Sequence, residues 1–323
     1  MTWKSFLKLT EIQTKVASMI PYILGSLYAY YRFQAFNWIN GGLMLLSLLC
    51  VDMATTTINN YIDFKKANKK HGFGYESHNA IVRDNIKEPV VIATISGLLS
   101  IAILTGFFLF LRTSPVVLML GAVSFAIGIL YSFGPFPISR TPFGEVFSGL
   151  IMGFFIPLIT VIIHLPENTL LSVSLITGQL IVRADLLELV LIFLVSFPTI
   201  VGIANIMLAN NICDIEEDLV NCRYTLPIYI GQKAALATFR FLYLIAYLSI
   251  LVLVTLRVLP LFSLLTLLTL IPVFKHINLF TQKQSKQYTF VLAVRNFVLI
   301  NLAHAMTLAF DLTVRFLLER FFN

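Results

Sequence analysis

Leu186-Leu-Glu-Leu-Val-Leu-Ile-Phe-Leu-Val-Ser-Phe-Pro-Thr-Ile-Val-Gly-Ile-Ala-Asn-Ile-Met-Leu208 runs directly into Ala209-Asn-Asn-Ile-Cys-Asp214-Ile-Glu-Glu-Asp218, and this junction decides the fold. The first part is a span-length apolar run; a hydrocarbon core is crossed by about 20 such residues in a helix. The second part is rich in amides and carboxylates. A helix this apolar needs lipid around it, and the acidic stretch at its exit marks a membrane surface.

Similar apolar runs lie at roughly 17–36, 39–58, 90–111, 114–131, 145–164, 235–256, 258–274 and 291–318. With 186–208 they predict an all-α membrane protein of about nine transmembrane helices. The 258–274 run is short and has Pro260 and Pro272 near its ends. Composition agrees: of 323 residues 58% are hydrophobic and 12% charged, too few polar side chains to cover a water-soluble globule of this size. No polar linker divides the helices, so residues 1–323 read as one domain. The N-terminal stretch has no small-residue cleavage site, and Glu11, Gln13 and Lys15 interrupt the approach to the first run, so no removable signal peptide is expected. Cys50, Cys213 and Cys222 suggest neither a disulfide framework nor a metal-binding spacing.

The net charge of +7 is distributed unevenly. Lys4, Lys8 and Lys15 precede the first run; Lys65, Lys66, Lys69, Lys70, Arg83 and Lys87 follow the second, Arg140 the fourth, Arg223 and Lys233 the sixth, and Lys275, Lys283 and Lys286 the eighth. The odd-numbered connections hold Arg32, Arg112, Arg183 and Arg257, one each. By the positive-inside rule, the N-terminus and the even-numbered loops are cytoplasmic and the C-terminus lies outside, in a multi-pass cell-membrane protein. The basic surplus is therefore read as topology and as anion or lipid-headgroup binding, with no nucleic acid partner.

Two cytoplasmic connections, 59–89 and 209–234, are longer than a tight turn needs, and each opens on an Asn-Asn pair followed by acids. In the second helix Asp52, Thr55, Thr56, Asn59, Asn60 and Asp63 share one face. An aspartate inside a span is costly unless it faces a partner or a wet cavity. After the sixth helix Asn211, Asp214 and Asp218 share a face, with Glu217 adjacent. Carboxylates so close invite a divalent cation, and Mg²⁺ suits a few oxygen ligands completed by substrate phosphates. A turn, Tyr131-Ser-Phe-Gly134-Pro135-Phe-Pro137-Ile-Ser-Arg140, precedes Gly144-Glu145 and brings Arg140 to the same face. Arg140 and Arg223, with Lys15, Lys65 and Lys66, are candidates to neutralise a diphosphate. The ninth helix carries a stripe of Asn301, His304, Asp311 and Arg315, in which Asp311 and Arg315 form an i, i+4 ion pair. No Ser-His-Asp order, P-loop, GxGxxG or HExxH occurs, which removes support for the corresponding hydrolase, nucleotide-binding and zinc-protease chemistries.

With these residues in view, the chain resembles the UbiA superfamily of intramembrane aromatic prenyltransferases, and within it the 1,4-dihydroxy-2-naphthoate polyprenyltransferase (MenA-like) group. Residues 210–227, Asn-Asn-Ile-Cys-Asp-Ile-Glu-Glu-Asp-Leu-Val-Asn-Cys-Arg-Tyr-Thr-Leu-Pro, are similar to the second family motif, with Cys222 where glycine is usual. The first motif departs from the pattern: Asn59 and Asp63 match, but Asn60 replaces an aspartate and Ala67, Asn68 and Lys69 fill the place of a later acid. In the first helix Glu11 stands where the family carries an arginine three residues before a threonine, here Thr14, and Lys15 is a substitute. The resemblance implies a helical bundle around a central cavity and Mg²⁺ held by Asn59, Asp63, Asp214 and Asp218. It implies catalytic roles for Asp63, Asp214, Asp218 and Tyr131, and substrate binding by Lys15, Lys66, Arg140, Arg223, Asn60 and Asn211. The implied substrates are a polyprenyl diphosphate and an aromatic acceptor such as dihydroxynaphthoate, in quinone synthesis at the bilayer. Aromatic side chains, 28 Phe, 12 Tyr and 2 Trp, are available to stabilise an allylic cation. Three alternatives remain open at this stage: a different aromatic acceptor, a transporter using Asp52, His304 and Asp311, and a non-catalytic binder of quinones or prenyl lipids.

Overall fold

The computed structural model describes residues 1–66, 79–132, 134 and 137–322. Inside lipid the backbone has no water to bond, so each apolar run closes its own hydrogen bonds as a helix. In chain order these are the short α1 (Trp3–Leu9), α2 (Val16–Phe33), α3 (Trp38–Lys66), the single turn α4 (Ala80–Arg83), α5 (Glu88–Arg112), α6 (Pro115–Ser132) and α7 (Gly144–His164). A hairpin of β1 (Leu171–Ile176) and β2 (Gln179–Ala184) follows. Then come α8 (Leu186–Cys213), the short α9 (Ile215–Val220) and α10 (Leu226–Ile230), α11 (Gln232–Thr255), α12 (Leu261–Gln282) and α13 (Phe290–Phe322).

All nine expected runs are helical, yet only seven helices among the described residues are long and apolar enough to cross a membrane: α3, α5, α7, α8, α11, α12 and α13. Helix α6 is shorter, and α2 spends its last turns on Tyr28, Tyr30, Tyr31 and Arg32 instead of aliphatic side chains. Two expected boundaries move. Helix α3 continues beyond 58 through Asn59, Asn60 and Asp63, so the first motif is helical. Helix α12 does not stop at 274, because after a 3-10 segment, Leu261–Thr269, its regular part Leu270–Gln282 takes Pro272 into the first turn, where a missing N–H costs nothing. Lys275 therefore sits on a helix and not in the loop after it. The hairpin was not expected; its two-residue turn, Thr177 at φ 49° and Gly178 at φ 79°, has the left-handed geometry that suits strand twist.

Helix α8 is central, packed against α2, α7, α11 and α13. Lipid tails are as apolar as leucine, so such contacts depend on close fit more than on removal from water. The closest approach is at Gly153, within a π-helical turn Ile151–Phe155 of α7: a Cβ there would lie 2.5 Å from backbone atoms of Ile200. Thr199 Oγ1 donates to the Gly153 carbonyl at 2.6 Å, which satisfies a backbone group that the wide turn disturbs. Helices α3 and α5 lie together through Cys50, Ala54, Leu98 and Ala102. Side chains of α2, α3, α5, α6, α7 and α8 enclose a cavity of about 640 Å³.

Candidate functional site

The cavity has an apolar body and a polar end. Leu48, Val51, Leu99, Ile103, Phe107 and Phe125 belong to the body. Ser18, Asp52, Thr55, Thr56, Asn59, Tyr131 and Ser148 supply polar groups. The helical face expected for Asp52, Thr55, Thr56 and Asn59 is thus the face α3 turns to the cavity. The Asn59 Oδ1 and the Tyr131 hydroxyl are buried and accept or donate no hydrogen bond among the described residues.

Asp52 and Lys15 complete each other. Lys15 is buried, and its Nζ donates to Asp52 Oδ1 at 2.6 Å, to the Asp52 carbonyl at 3.1 Å and to Thr56 Oγ1 at 2.7 Å. Ser18 Oγ donates to the other Asp52 oxygen. An ammonium has three protons, and all three are committed here, so in this structure Lys15 is the counter-ion of Asp52. Removing one partner of a pair this buried costs about 3–5 kcal/mol, because the other charge is stranded.

Asn60 also departs from the expectation. Its Nδ2 donates to the Leu9 carbonyl at 3.0 Å and to Glu11 Oε1 at 3.3 Å, while Asn79 Nδ2 donates to the Asn60 carbonyl at 2.8 Å. The side chain fastens α3 to the N-terminal segment and does not line the cavity. Two of the positions that depart from the family pattern, Glu11 and Asn60, are therefore in contact with one another. Asp63 lies exposed one turn further along α3. The side chain of Lys66, and Ala67, Asn68, Lys69 and Pro135 of the expected motifs, lie outside the described residues.

The second motif straddles the end of α8 and the start of α9. Asn211 is buried, and its Nδ2 donates to Glu145 Oε1 at 2.8 Å, joining α8 to the first turn of α7. Asp214 is buried with Oδ2 accepting from Lys286 Nζ at 2.5 Å. One turn on, the Asp218 amide donates to the Asp214 carbonyl at 2.7 Å. Asp218 is buried, paired with Arg223 Nε at 3.2 Å, and accepts from Thr225 Oγ1 at 3.2 Å. Burial pushes the Asp218 carboxyl above its ordinary range, while the Arg223 guanidinium and the Thr225 hydroxyl pull it down. Cys222 has φ 53°, the left-handed conformation that explains why glycine is usual at this position. The turn before α7 docks on this loop: the Tyr224 amide donates to the Arg140 carbonyl at 3.1 Å, and Arg223 Nη2 reaches the Ser139 carbonyl at 3.4 Å. The Arg140 side chain itself is exposed.

Sequence reasoning had used Lys286 only as a topological charge and left Glu145 without a role. Their partners Asp214 and Asn211 are 72 and 66 residues away, so no local pattern linked them. In α13, Asp311 pairs with Arg315 at 2.7 Å as expected. Asn301 Nδ2 bonds the Phe297 and Pro198 carbonyls at 2.9 and 3.3 Å, and His304 is fully buried. Neither lines the cavity, and with Asp52 neutralised by Lys15 the transporter reading loses its pathway.

Among the described residues no three His, Cys, Asp or Glu side chains converge as a metal-binding group, so the expected ligands Asn59, Asp63, Asp214 and Asp218 are not a closed cage. The donor chemistry nonetheless suits a hard cation. Besides the Asp214 and Asp218 carboxylates, the buried oxygens Asn211 Oδ1, Glu145 Oε2 and Asn59 Oδ1 have no hydrogen-bond partner. An all-oxygen, incomplete set is what Mg²⁺ takes when a substrate phosphate completes its shell.

An integral membrane protein with a largely apolar cavity between its helices, hydroxyl, amide and carboxylate oxygens at one end of it, and a separate pair of buried aspartates at the end of α8 is the class that fold and site define. More narrowly, the UbiA prenyltransferase family matches residues 18–300, and the chain belongs to that family. A 1,4-dihydroxy-2-naphthoate octaprenyltransferase of Bacillus subtilis (strain 168) is 33% identical over 250 residues, covering 76% of this chain and 72% of that protein. Two solved structures share the fold across 94% of this chain and 98% of theirs: the apo form of a UbiA homologue from Aeropyrum pernix K1 (16% identity, TM-score 0.63) and a UbiA homologue from Archaeoglobus fulgidus bound to GPP and Mg²⁺ (15% identity, TM-score 0.61).

Proposed function

We propose that the protein transfers a polyprenyl group from a polyprenyl diphosphate to 1,4-dihydroxy-2-naphthoate, at the cytoplasmic surface of the cell membrane and with Mg²⁺. The observation that carries this reading is the junction of an apolar cavity of about 640 Å³ with unpartnered oxygens at Asn59 and Tyr131. A long prenyl tail fills the body and its diphosphate lies toward Asp214 and Asp218. The similarity to the Bacillus subtilis enzyme supports the acceptor.

When bound, Mg²⁺ supplies charge neutralisation for the diphosphate. The chain does the rest. Asp214 and Asp218, with Asn211 and Asn59, offer the oxygens that hold the ion. Asp63 extends the set from α3. Lys286 is more than half exposed, so its pair with Asp214 is worth about 0–1 kcal/mol and is readily exchanged for a phosphate contact. Arg223, paired with Asp218, and the exposed Arg140 of the adjoining turn are the guanidinium groups available to neutralise the leaving group. Departure of diphosphate breaks the allylic C–O bond, and a ring carbon of the electron-rich acceptor supplies the electron pair of the new C–C bond. The acceptor's carboxylate leaves as carbon dioxide. Tyr131, Phe125 and Phe107 exclude water and present π faces to the developing cation.

The test is prenyl transfer in membranes supplied with Mg²⁺, a polyprenyl diphosphate and dihydroxynaphthoate. Asp214→Asn, Asp218→Asn and Asp63→Asn are each expected to lower turnover by about 10²-fold or more, as for loss of a group that stabilises developing charge. Near-normal turnover in all of them sinks the proposal, and product formed only with a different aromatic acceptor sinks the assignment of substrate.

A further inference from the structure

The hairpin between α7 and α8 lies at the end of the bundle away from the Asn/Asp motifs and outside the cavity lining, and one of its faces is wholly apolar. Its register pairs Leu171 with Ala184, Val173 with Val182 and Leu175 with Leu180. Alternate residues of a strand share a face, so these apolar side chains form one continuous surface. The opposite face carries Ser172, Ser174, Gln179 and Arg183 beside Ile176 and Ile181.

At its base the apolar face is used by the protein: Leu171 and Val173 pack on the core cluster that contains Val116 and Val117 of α6. Nearer the turn, and along β2 from Val182 opposite Val173, the same face runs past the protein, leaving Leu175 74%, Leu180 68% and Val182 58% exposed, while Ile181 on the other face is half-buried. The sheet face that presses onto the end of α6 at its base continues through Leu175 and Leu180 toward the turn. The surface it meets there is the lipid-facing belt, because Leu111 of α5, Leu118 and Met119 of α6, and Leu186 and Leu187 at the start of α8 are all exposed at this end of the bundle. Trp38 opens α3 at the same end and is 82% exposed, the position of an interfacial anchor. A two-stranded ribbon keeps unpaired backbone groups along both edges, which bars it from the hydrocarbon interior and holds it at the interface.

We infer that the hairpin is a membrane-surface anchor. Its Leu175, Leu180 and Val182 rest on the acyl-chain boundary of the leaflet opposite the acidic site, and Ser172, Ser174, Gln179 and Arg183 face headgroups and water. The occupant of the exposed apolar face is the bilayer that already surrounds α5, α6 and α8.

Full-length protein in phosphatidylcholine vesicles tests this, since the chain has only Trp3 and Trp38 to remove. In a W3F/W38F background, Leu175→Trp, Leu180→Trp and Ser174→Trp each report one face of the hairpin. Emission from positions 175 and 180 is expected to be quenched several-fold more than that from position 174 by phosphatidylcholine brominated near the headgroup end of its acyl chains. Aqueous iodide is expected to reverse the order. Two results overturn the anchor: positions 175 and 180 as open to iodide as position 174, meaning a face free in water, or both protected from iodide and from brominated lipid, meaning a face covered by protein. Val182→Trp repeats the apolar-face reading if a leucine variant does not fold, with an unchanged melting temperature as the criterion of folding.

Discussion

Residues 11 and 60 explain one another. In the family pattern these positions carry an arginine and an aspartate; here Glu11 accepts from the Asn60 amide at 3.3 Å. An aspartate at 60 would set two carboxylates and the Leu9 carbonyl against each other with no donor between them. Asn60→Asp is therefore expected to destabilise the protein by about 1–3 kcal/mol, the cost of unpaired polar groups. Glu11→Arg added to it should recover most of the loss, and thermal melts of the two single variants and the pair in detergent measure the coupling. At Asp218 the prediction is one of pH. Burial raises this carboxyl and Arg223 lowers it. A raised carboxyl is less ionised at a given pH, so kcat/KM should fall on acidification already above the ordinary carboxylate range. Arg223→Ala removes a lowering influence, and the acid limb of the profile should move to still higher pH; a limb that stays in place separates Asp218 from catalysis. Single residues such as these were named from sequence by helical spacing, which placed Asp52, Thr55, Thr56 and Asn59 on one face correctly. What spacing could not register was a partner on another helix: Lys15 gives all of its protons to Asp52 and Thr56, 37 and 41 residues away.

Among the elements, the fit of α7 against α8 controls the site, because α7 begins at Glu145 and α8 ends at Asn211, and those two are joined at 2.8 Å. Midway along the pair Gly153 admits Ile200 where no Cβ has room. Gly153→Val should force the helices apart and lower stability by about 1–3 kcal/mol, the usual cost of overpacking. The melting temperature checks the first effect. A lower turnover in the part of the population that remains folded checks the second, since displacement of α8 carries Asn211 and Asp214 with it. The apolar runs located these helices well, as hydrophobic length is a property of the chain alone. Their ends were legible only where a breaker stood in the right turn: Pro272 looked like a terminator and is a first-turn residue.

For the whole molecule, the orientation we propose from the positive-inside rule puts the acidic end of the bundle at the cytoplasm. Cys222 lies exposed in the second motif, Cys213 of the same motif is half-buried and Cys50 is buried. A membrane-impermeant maleimide should label Cys222 in inverted membrane vesicles and leave it unlabelled in intact cells, and Cys222→Ser should remove that signal; labelling from the outside would reverse the orientation. Hydropathy, charge asymmetry and the two Asn/Asp motifs by themselves determined that this is a helical membrane protein with carboxylates at two helix ends, and the resemblance of residues 210–227 to a family motif pointed to prenyl transfer, because each is written in contiguous residues and needs no partner to be read. Tertiary structure alone decided that Lys15 neutralises Asp52, that Lys286 and Glu145 pair with Asp214 and Asn211, that Asn60 bonds Leu9 and Glu11, and that a hairpin with one apolar face reaches out on the far side. Each of these depends on residues distant in sequence, or on a face that acquires a direction only when the helices pack, and such pairings exist only in the folded bundle.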